Sequence, residues 1–149
     1  MSTLVLGLGN PILSDDGVGI SVARKLKEEK PELEVVETSE GGIALLDYVA
    51  GYDKLVIIDA IKTGKGKPGE LYKLALEDLK PAHDFSSSHG VDIATALEVG
   101  EALGCVMPRS VSIYAVEIKE DTAFREHCTR EVEERIPFIA RQIMAEERL

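Results

Sequence analysis

Apolar runs alternate with amphipathic stretches along this chain of 149 residues. Short apolar, β-branched runs predict strands of a parallel sheet, because both faces of such strands are buried. Apolar residues spaced four apart, as at Val18, Val22 and Leu26, predict helices that pack on that sheet. The predicted strands are 4–8, 34–37, 54–59, 71–74 and 111–118, and the predicted helices are 17–30, one through Leu45, Leu46 and Val49, 91–103 and 124–148.

The connections and the C-terminal region complete this pattern. Glycine and proline at 62–69 predict a loop, and the polar, serine-rich segment 81–89 predicts a mobile loop. We expect the C-terminal helix to be kinked before Pro137. Its predicted inward side chains are Phe124, Cys128, Val132, Ile139 and Ile143.

Strands that alternate with helices favour the α/β fold class. We expect a three-layer sandwich, with a twisted, mostly parallel sheet of about five strands and helices on both faces. The chain has no internal repeat and no linker-like segment, so residues 1–149 are predicted to form a single domain. In such folds ligands bind beyond the carboxyl ends of the strands.

Charge and composition exclude several classes of partner. The formal net charge of −10 disfavours nucleic acid and anionic membranes, which both require a basic surface. No basic segment precedes an apolar run at the N-terminus, and no apolar stretch approaches the roughly 20 residues that span a bilayer. Cys105 and Cys128 are too few for a disulfide framework. We therefore expect a cytoplasmic protein.

The turn after the first strand carries both glycines and acids. Gly7 and Gly9 resemble the start of a dinucleotide-binding loop, in which Glu37 could bind a ribose, but Ile12 replaces the third glycine. Asp15 and Asp16 would repel a pyrophosphate at the start of the following helix. A nucleotide site is therefore disfavoured. One aspartate is explained as a helix cap, which leaves Asp16 to project elsewhere, for example as a metal ligand.

Two further residues are candidates for the same site. Asp59 ends the most apolar predicted strand, where an acid either binds a ligand or hydrogen-bonds loop amides. His89 lies between a run of serines and Gly90, and taken alone it is equally typical of a surface residue. His83 and His127 have less suggestive surroundings. Together, two carboxylates and one imidazole suit a divalent transition metal with open coordination positions.

These motifs, in this order, resemble those of the hydrogenase maturation endopeptidases, and the resemblance covers nearly the whole chain. The opening segment 6–19 resembles the family's N-terminal signature and is the most specific of them. The others are the acid-Gly-Gly turn at 40–42, the acidic strand end at 57–60 and the histidine loop at 88–89.

The resemblance implies a function and a site. The family's metal ligands fall on Asp16, Asp59 and His89, which would also be the catalytic residues. The protein would be a hydrolase, an endopeptidase that removes the C-terminal extension of a nickel–iron hydrogenase large-subunit precursor after nickel insertion and so activates the hydrogenase. The divalent metal would be nickel supplied by the substrate. Asp16 stands where some members have glutamate, and Glu40 stands where aspartate is usual.

Mechanistic alternatives remain open from the sequence. A metal held by these residues would polarise a carbonyl and activate water, which Asp15 or Glu40 could orient. A non-catalytic nickel-sensing module would use the same ligands, whereas a metal-independent peptidase would let Asp16 and Asp59 share a proton. No serine nucleophile pattern is present, and the cysteines are better explained as structural thiols.

Overall fold

The computed structural model describes residues 2–76 and 89–149, with the backbone alone at residues 42 and 89–92. Its strands are β1 (Thr3–Leu8), β2 (Glu34–Thr38), β3 (Lys54–Ile61), β4 (Leu71–Leu74) and β5 (Ser110–Glu117). Its helices are α1 (Val18–Glu29), α2 (Leu46–Val49), α3 (His89–Ala102), α4 (Arg130–Glu133) and α5 (Ile136–Glu147), with short 3-10 turns at Ser14–Gly17 and Gly42–Leu45.

The five strands form one sheet in the order β2-β1-β3-β5-β4. The first four of these are parallel, and β4 runs antiparallel to β5 at the edge. The central strands β1 and β3 are buried along almost their whole length, because helices cover both of their faces. The predicted α/β class, with about five mostly parallel strands, is therefore confirmed.

Two apolar clusters occupy the two sides of the sheet. Val56 and Ile58 of β3 pack with α1 and α5 on one side. Leu55 and Ile57 of β3 pack on the other side with Ile93 of α3. Neighbouring residues of β3 thus contribute to opposite clusters, as strand geometry requires. The arrangement is the predicted sandwich of helix, sheet and helix.

The C-terminal helix differs from its prediction. Residues 118–129 form a connection without strand or helix of its own, α4 is a single turn, and α5 begins only at Ile136. The helix is interrupted at residues 134–135, just before Pro137, as predicted, and Pro137 stands in the first turn of α5, where its missing N–H costs nothing. Cys128, Val132, Ile139 and Ile143 are buried as predicted, whereas Phe124 is exposed.

The remaining boundaries agree to within a few residues. The predicted helix through Leu45 is a 3-10 turn followed by α2, and the predicted helix 91–103 begins earlier, at His89. The predicted mobile loop 81–89 lies outside the described residues except for His89. Within the described ranges, no helix is both long and apolar enough to cross a bilayer.

Candidate functional site

The candidate site lies at the carboxyl edge of the sheet, where the strand order reverses. From β1 the chain proceeds to β2 on one side, and from β3 it proceeds to β4 and then β5 on the other. Crevices at such switch points are where open α/β sheets bind their ligands. Asp16 follows β1 and Asp59 belongs to β3, so the two carboxylates lie on elements that flank this point.

Glycines bring the turn that holds Asp16 close to the strands. Gly9 has a φ of 145°, and a Cβ there would lie only 2.1 Å from the carbonyl oxygen of Asp16. A Cβ on Gly19 would lie 2.3 Å from the carbonyl oxygen of Ile58. Both positions require glycine because backbone approaches backbone. The motif thus serves close packing, and Glu37, the candidate ribose ligand, is paired with Arg24 instead.

Asp16 is 7% exposed and belongs to the 3-10 turn that precedes α1. Its Oδ2 accepts a hydrogen bond of 2.9 Å from the backbone N–H of Asn10. This bond fixes the carboxylate beside the first residues after β1. The N-cap residue of α1 is Gly17, and no side chain caps that helix.

Asp59 is 1% exposed and lies inside β3, which continues to Ile61. The expectation that this acid ends the strand is therefore wrong. The pairing of β1 with β3 ends at Gly7 and Ile58, so Asp59 directly follows the last paired residue on that side. Its Oδ1 accepts the backbone N–H of Ala60 at 2.8 Å. By strand alternation its side chain shares a face with Leu55 and Ile57, the face that α3 covers.

His89 is the first residue of α3, so it begins a helix where a loop was predicted, and its side chain lies outside the described residues. The other end of α3 lies near the amino edge of the sheet, because Gly100 there packs against Met107. The helix therefore runs from His89 toward the amino edge, along the face of the sheet that carries Asp59. Among the side chains that are described, no three His, Cys, Asp or Glu residues form a metal-binding group.

The Asp15 carboxylate bonds backbone N–H groups that lie far from it in the sequence, which the sequence did not indicate. Its buried carboxylate accepts the backbone N–H groups of Lys119 and Glu120, each at 3.0 Å, and that of Thr129 at 2.7 Å. The Thr129 hydroxyl adds further bonds. The alternative in which Asp15 caps α1 is therefore wrong, and a role in orienting water is disfavoured because the carboxylate already has these donors.

Glu117, in β5, is a buried acid at this edge that sequence reasoning missed. It pairs with Ile61 two positions beyond Asp59 and shares its face of the sheet. Its carboxylate accepts the N–H of Thr63 at 2.8 Å and the Tyr72 hydroxyl at 2.9 Å, and it also bonds the Thr63 hydroxyl. Burial alone would raise the pKa of Glu117, but these hydrogen bonds outweigh it and lower that pKa.

The signal for Glu117 was present, because it is an acid near the end of an apolar strand, as Asp59 is. Through these hydrogen bonds Glu117 holds the 62–70 connection between β3 and β4 against the sheet. Burial and the Glu117 carboxylate together raise the pKa of Tyr72 to about 12, so its hydroxyl remains a donor near neutral pH.

The acid-Gly-Gly turn lies beside a shallow cavity of about 300 Å³. Glu40 lines it and accepts the Tyr48 hydroxyl at 2.9 Å, while its own N–H donates to the Thr38 hydroxyl. Pro11, from the loop that leads to Asp16, forms another wall. The cavity therefore lies between the acid turn and the loop that leads to Asp16.

The cysteines do not provide a nucleophile. Cys128 is buried, and burial together with the nearby Asp15 and Glu133 carboxylates raises its pKa to about 12. It is a neutral thiol near pH 7, which is a poor nucleophile. Cys105 is exposed and follows α3 near the amino edge of the sheet, away from the candidate site.

Comparison with known proteins identifies the family. The family model described as hydrogenase maturation protease matches residues 20–146. The Hydrogenase 2 maturation protease of Escherichia coli (strain K12) is 37% identical over 82 residues, which are 53% of this chain and 50% of that protein. By sequence, the chain therefore spans about half the length of this relative.

Solved structures match over nearly the whole chain. The hydrogenase maturating endopeptidase HybD from Escherichia coli superimposes with a TM-score of 0.81 at 26% identity, covering 99% of this chain and 93% of that one. The [NiFe] hydrogenase maturation protease HybD from Thermococcus kodakarensis superimposes with a TM-score of 0.78 at 26% identity, and the alignment covers 99% of each chain. With the family model covering most of the sequence, the chain belongs to the hydrogenase maturation protease family.

Proposed function

We propose that this protein is an endopeptidase that removes the C-terminal extension of a nickel–iron hydrogenase large-subunit precursor after nickel has been inserted. Its recognition site consists of Asp16, Asp59 and His89. The observation that supports the proposal is the pair of buried carboxylates, Asp16 and Asp59, on elements that flank the switch point. Family membership supplies the reaction class, because its named relatives are maturation proteases.

The donor set fits a divalent transition metal that arrives with the substrate. Two carboxylates and one imidazole are oxygen and nitrogen ligands of the kind that nickel or zinc accepts, and three protein ligands leave positions for substrate groups. The metal would supply Lewis acidity to a nearby peptide carbonyl. Asp16 and Asp59 are buried and hydrogen-bonded through backbone amides, so their carboxylates are positioned before the substrate binds.

The rest of the site would bind the peptide tail. The cavity beside Glu40 and Tyr48 opens next to the Asp16 loop and can receive an extended segment. Glu40 is held by Tyr48 and is exposed enough to contact that segment. Glu40 and Tyr48 would thereby orient the tail from one side, and the carboxylates of Asp16 and Asp59 would lie on its other side.

The test compares a nickel-loaded precursor with its nickel-free form, using intact mass spectrometry. We expect the C-terminal fragment to be lost only from the nickel-loaded precursor. Asp16→Asn, Asp59→Asn and His89→Ala should each reduce the rate at least about 100-fold, as loss of a group that stabilises a transition state does. The matched control is an exposed residue of the same type, Asp47→Asn, which should cleave at the wild-type rate.

Each other outcome selects a different function. Tight binding of the nickel-loaded precursor without any loss of mass would indicate a nickel-sensing module. Cleavage that persists after metal is removed from enzyme and substrate would indicate a metal-independent aspartate peptidase in which Asp16 and Asp59 share a proton. A wild-type rate for His89→Ala would remove the histidine from the site.

A further inference from the structure

The connection 118–129 between β5 and α4 is fastened to the loop that carries Asp16. The N–H of Asp15 donates to the Glu120 carbonyl at 2.9 Å, and the N–H of Ser14 donates to the Arg125 carbonyl at 3.0 Å. In return, the N–H of Arg125 donates to the Ile12 carbonyl at 2.9 Å. The two segments therefore run side by side like a short piece of sheet.

Side chains hold the same connection at both of its ends. The buried Asp15 carboxylate binds the N–H groups of Lys119 and Glu120 at the start and that of Thr129 at the end. Within the connection, Glu120 accepts the N–H groups of Thr122 at 2.8 Å and Ala123 at 3.1 Å. Although it has no helix or strand, this segment has a defined shape before any partner binds.

This ordered segment exposes a large aromatic side chain. Phe124 is 83% exposed, the highest value among the large apolar side chains in the described parts of the chain. Ile12, whose carbonyl bonds to the residue after Phe124, is 48% exposed. Aromatic side chains on preorganised surfaces are typical anchors of protein interfaces, because little ordering entropy is lost when they bind.

We propose that Phe124, supported by Ile12, is the anchor through which this protein docks onto the folded body of its protein substrate. The inference rests on the proposed function. The inference adds to the proposed function a contact with the substrate outside the cleaved tail. The partner surface would offer an apolar pocket for the aromatic ring.

Two observations favour the substrate protein as the occupant. Asp15 and Asp16 are consecutive, so one short turn both braces the Phe124 segment and supplies a carboxylate to the proposed site. A protein docked at Phe124 therefore lies at the same edge of the sheet as the bond to be cut. The net charge of −10 makes two copies of this chain repel each other, which disfavours a second copy in that place.

The experiment measures KM, kcat and the dissociation constant with the nickel-loaded large-subunit precursor, for wild type, Phe124→Ala and Phe124→Trp. We expect Phe124→Ala to raise KM and the dissociation constant about tenfold with a smaller change in kcat, and Phe124→Trp to restore most of the affinity. The matched control is Phe138→Ala, which removes a ring that is 56% exposed on α5 and should bind like wild type.

Wild-type KM and affinity in Phe124→Ala, or an equal loss in Phe138→Ala, would overturn the inference. If wild type binds the precursor without cleaving it, the proposed function fails. The dissociation constants of wild type and Phe124→Ala then still test whether Phe124 contacts the precursor. Failure of wild type to bind at all rejects both. Sedimentation that shows a wild-type dimer dissociated by Phe124→Ala would assign this surface to self-association and reject the docking inference.

Discussion

Ser14, Asp15 and Asp16 are consecutive, and all three are buried, yet they differ in what they contact. Asp15 binds backbone amides more than 100 residues away, whereas Asp16 binds the N–H of Asn10 within its own loop. Ser14 has a left-handed backbone with a φ of 50°. Its hydroxyl is the one buried side-chain polar atom in the described ranges without a hydrogen-bond partner. The turn thus contains local strain next to the proposed site.

Replacing Ser14 by glycine should stabilise the protein. Glycine adopts a positive φ without steric cost, and it removes the unpartnered hydroxyl, so we expect the free energy of unfolding to rise by about 1 kcal/mol. The measurement is urea unfolding of wild type and Ser14→Gly. Ser14→Ala is the control, because it removes the hydroxyl but keeps the strain. A glycine variant no more stable than the alanine variant would show that the backbone is not strained.

At the scale of elements, the connections that follow β3 and β5 are held by buried carboxylates. Glu117 in β5 binds Thr63 and Tyr72 and so holds the 62–70 connection against the sheet. Gly66 allows this closure, since a Cβ there would lie 2.0 Å from the Tyr72 hydroxyl oxygen. Asp15 acts in the same way on the 118–129 connection. Both acids rigidify segments that surround the carboxyl edge.

Removing the Glu117 carboxylate should release the 62–70 connection. Three hydrogen bonds are lost in Glu117→Ala, so we expect trypsin to cut after Lys65 at least about tenfold faster than in wild type. The cut is detected by mass spectrometry under native conditions. Glu98→Ala, which removes an exposed carboxylate from α3, should leave the rate at Lys65 unchanged. Equal cutting of Glu117→Ala and wild type would mean that other contacts order the connection.

At the scale of the whole molecule, one buried glutamate ties the last helix to the sheet. Glu147 at the end of α5 pairs with Lys54 of β3 at 2.9 Å and bonds Ser112 of β5 at 3.1 Å. It also bonds the Tyr114 hydroxyl. Burial alone would raise the pKa of Glu147, but the bonds from Tyr114, Lys54 and Ser112 lower it from about 4.5 to about 2.

This depressed pKa predicts a pH dependence of stability. A carboxyl whose pKa is lower in the folded state stabilises that state above its unfolded pKa, and the contribution is lost as pH falls toward the folded pKa. Between about pH 5 and pH 2, the free energy of unfolding should therefore fall by up to about 3 kcal/mol more in wild type than in Glu147→Gln. Urea unfolding of both proteins across this range measures the difference. Glu126→Gln, at an exposed position, should follow wild type.

The pattern of residues predicted the elements well where local sequence decides them. The five strands and the helices α1 and α3 agree with it to within a few residues, because apolar runs and four-residue spacing reflect burial directly. Phe124 was misplaced because its spacing with Cys128 and Val132 is helical by chance. Long-range bonds from Asp15 and Ser14 instead fix a connection without helix or strand there.

The sequence by itself determined the α/β class and the candidate residues Asp16, Asp59 and His89, because these depend on burial patterns and on motifs that are local in the chain. Only the tertiary structure decided the strand order that puts β1 beside β3, and with it the edge shared by Asp16 and Asp59. It also decided that Asp15 is structural, that Glu117 is buried, and that Phe124 is exposed. The physical reason is that hydrogen bonds and burial join residues far apart in sequence, and no local pattern encodes such pairings.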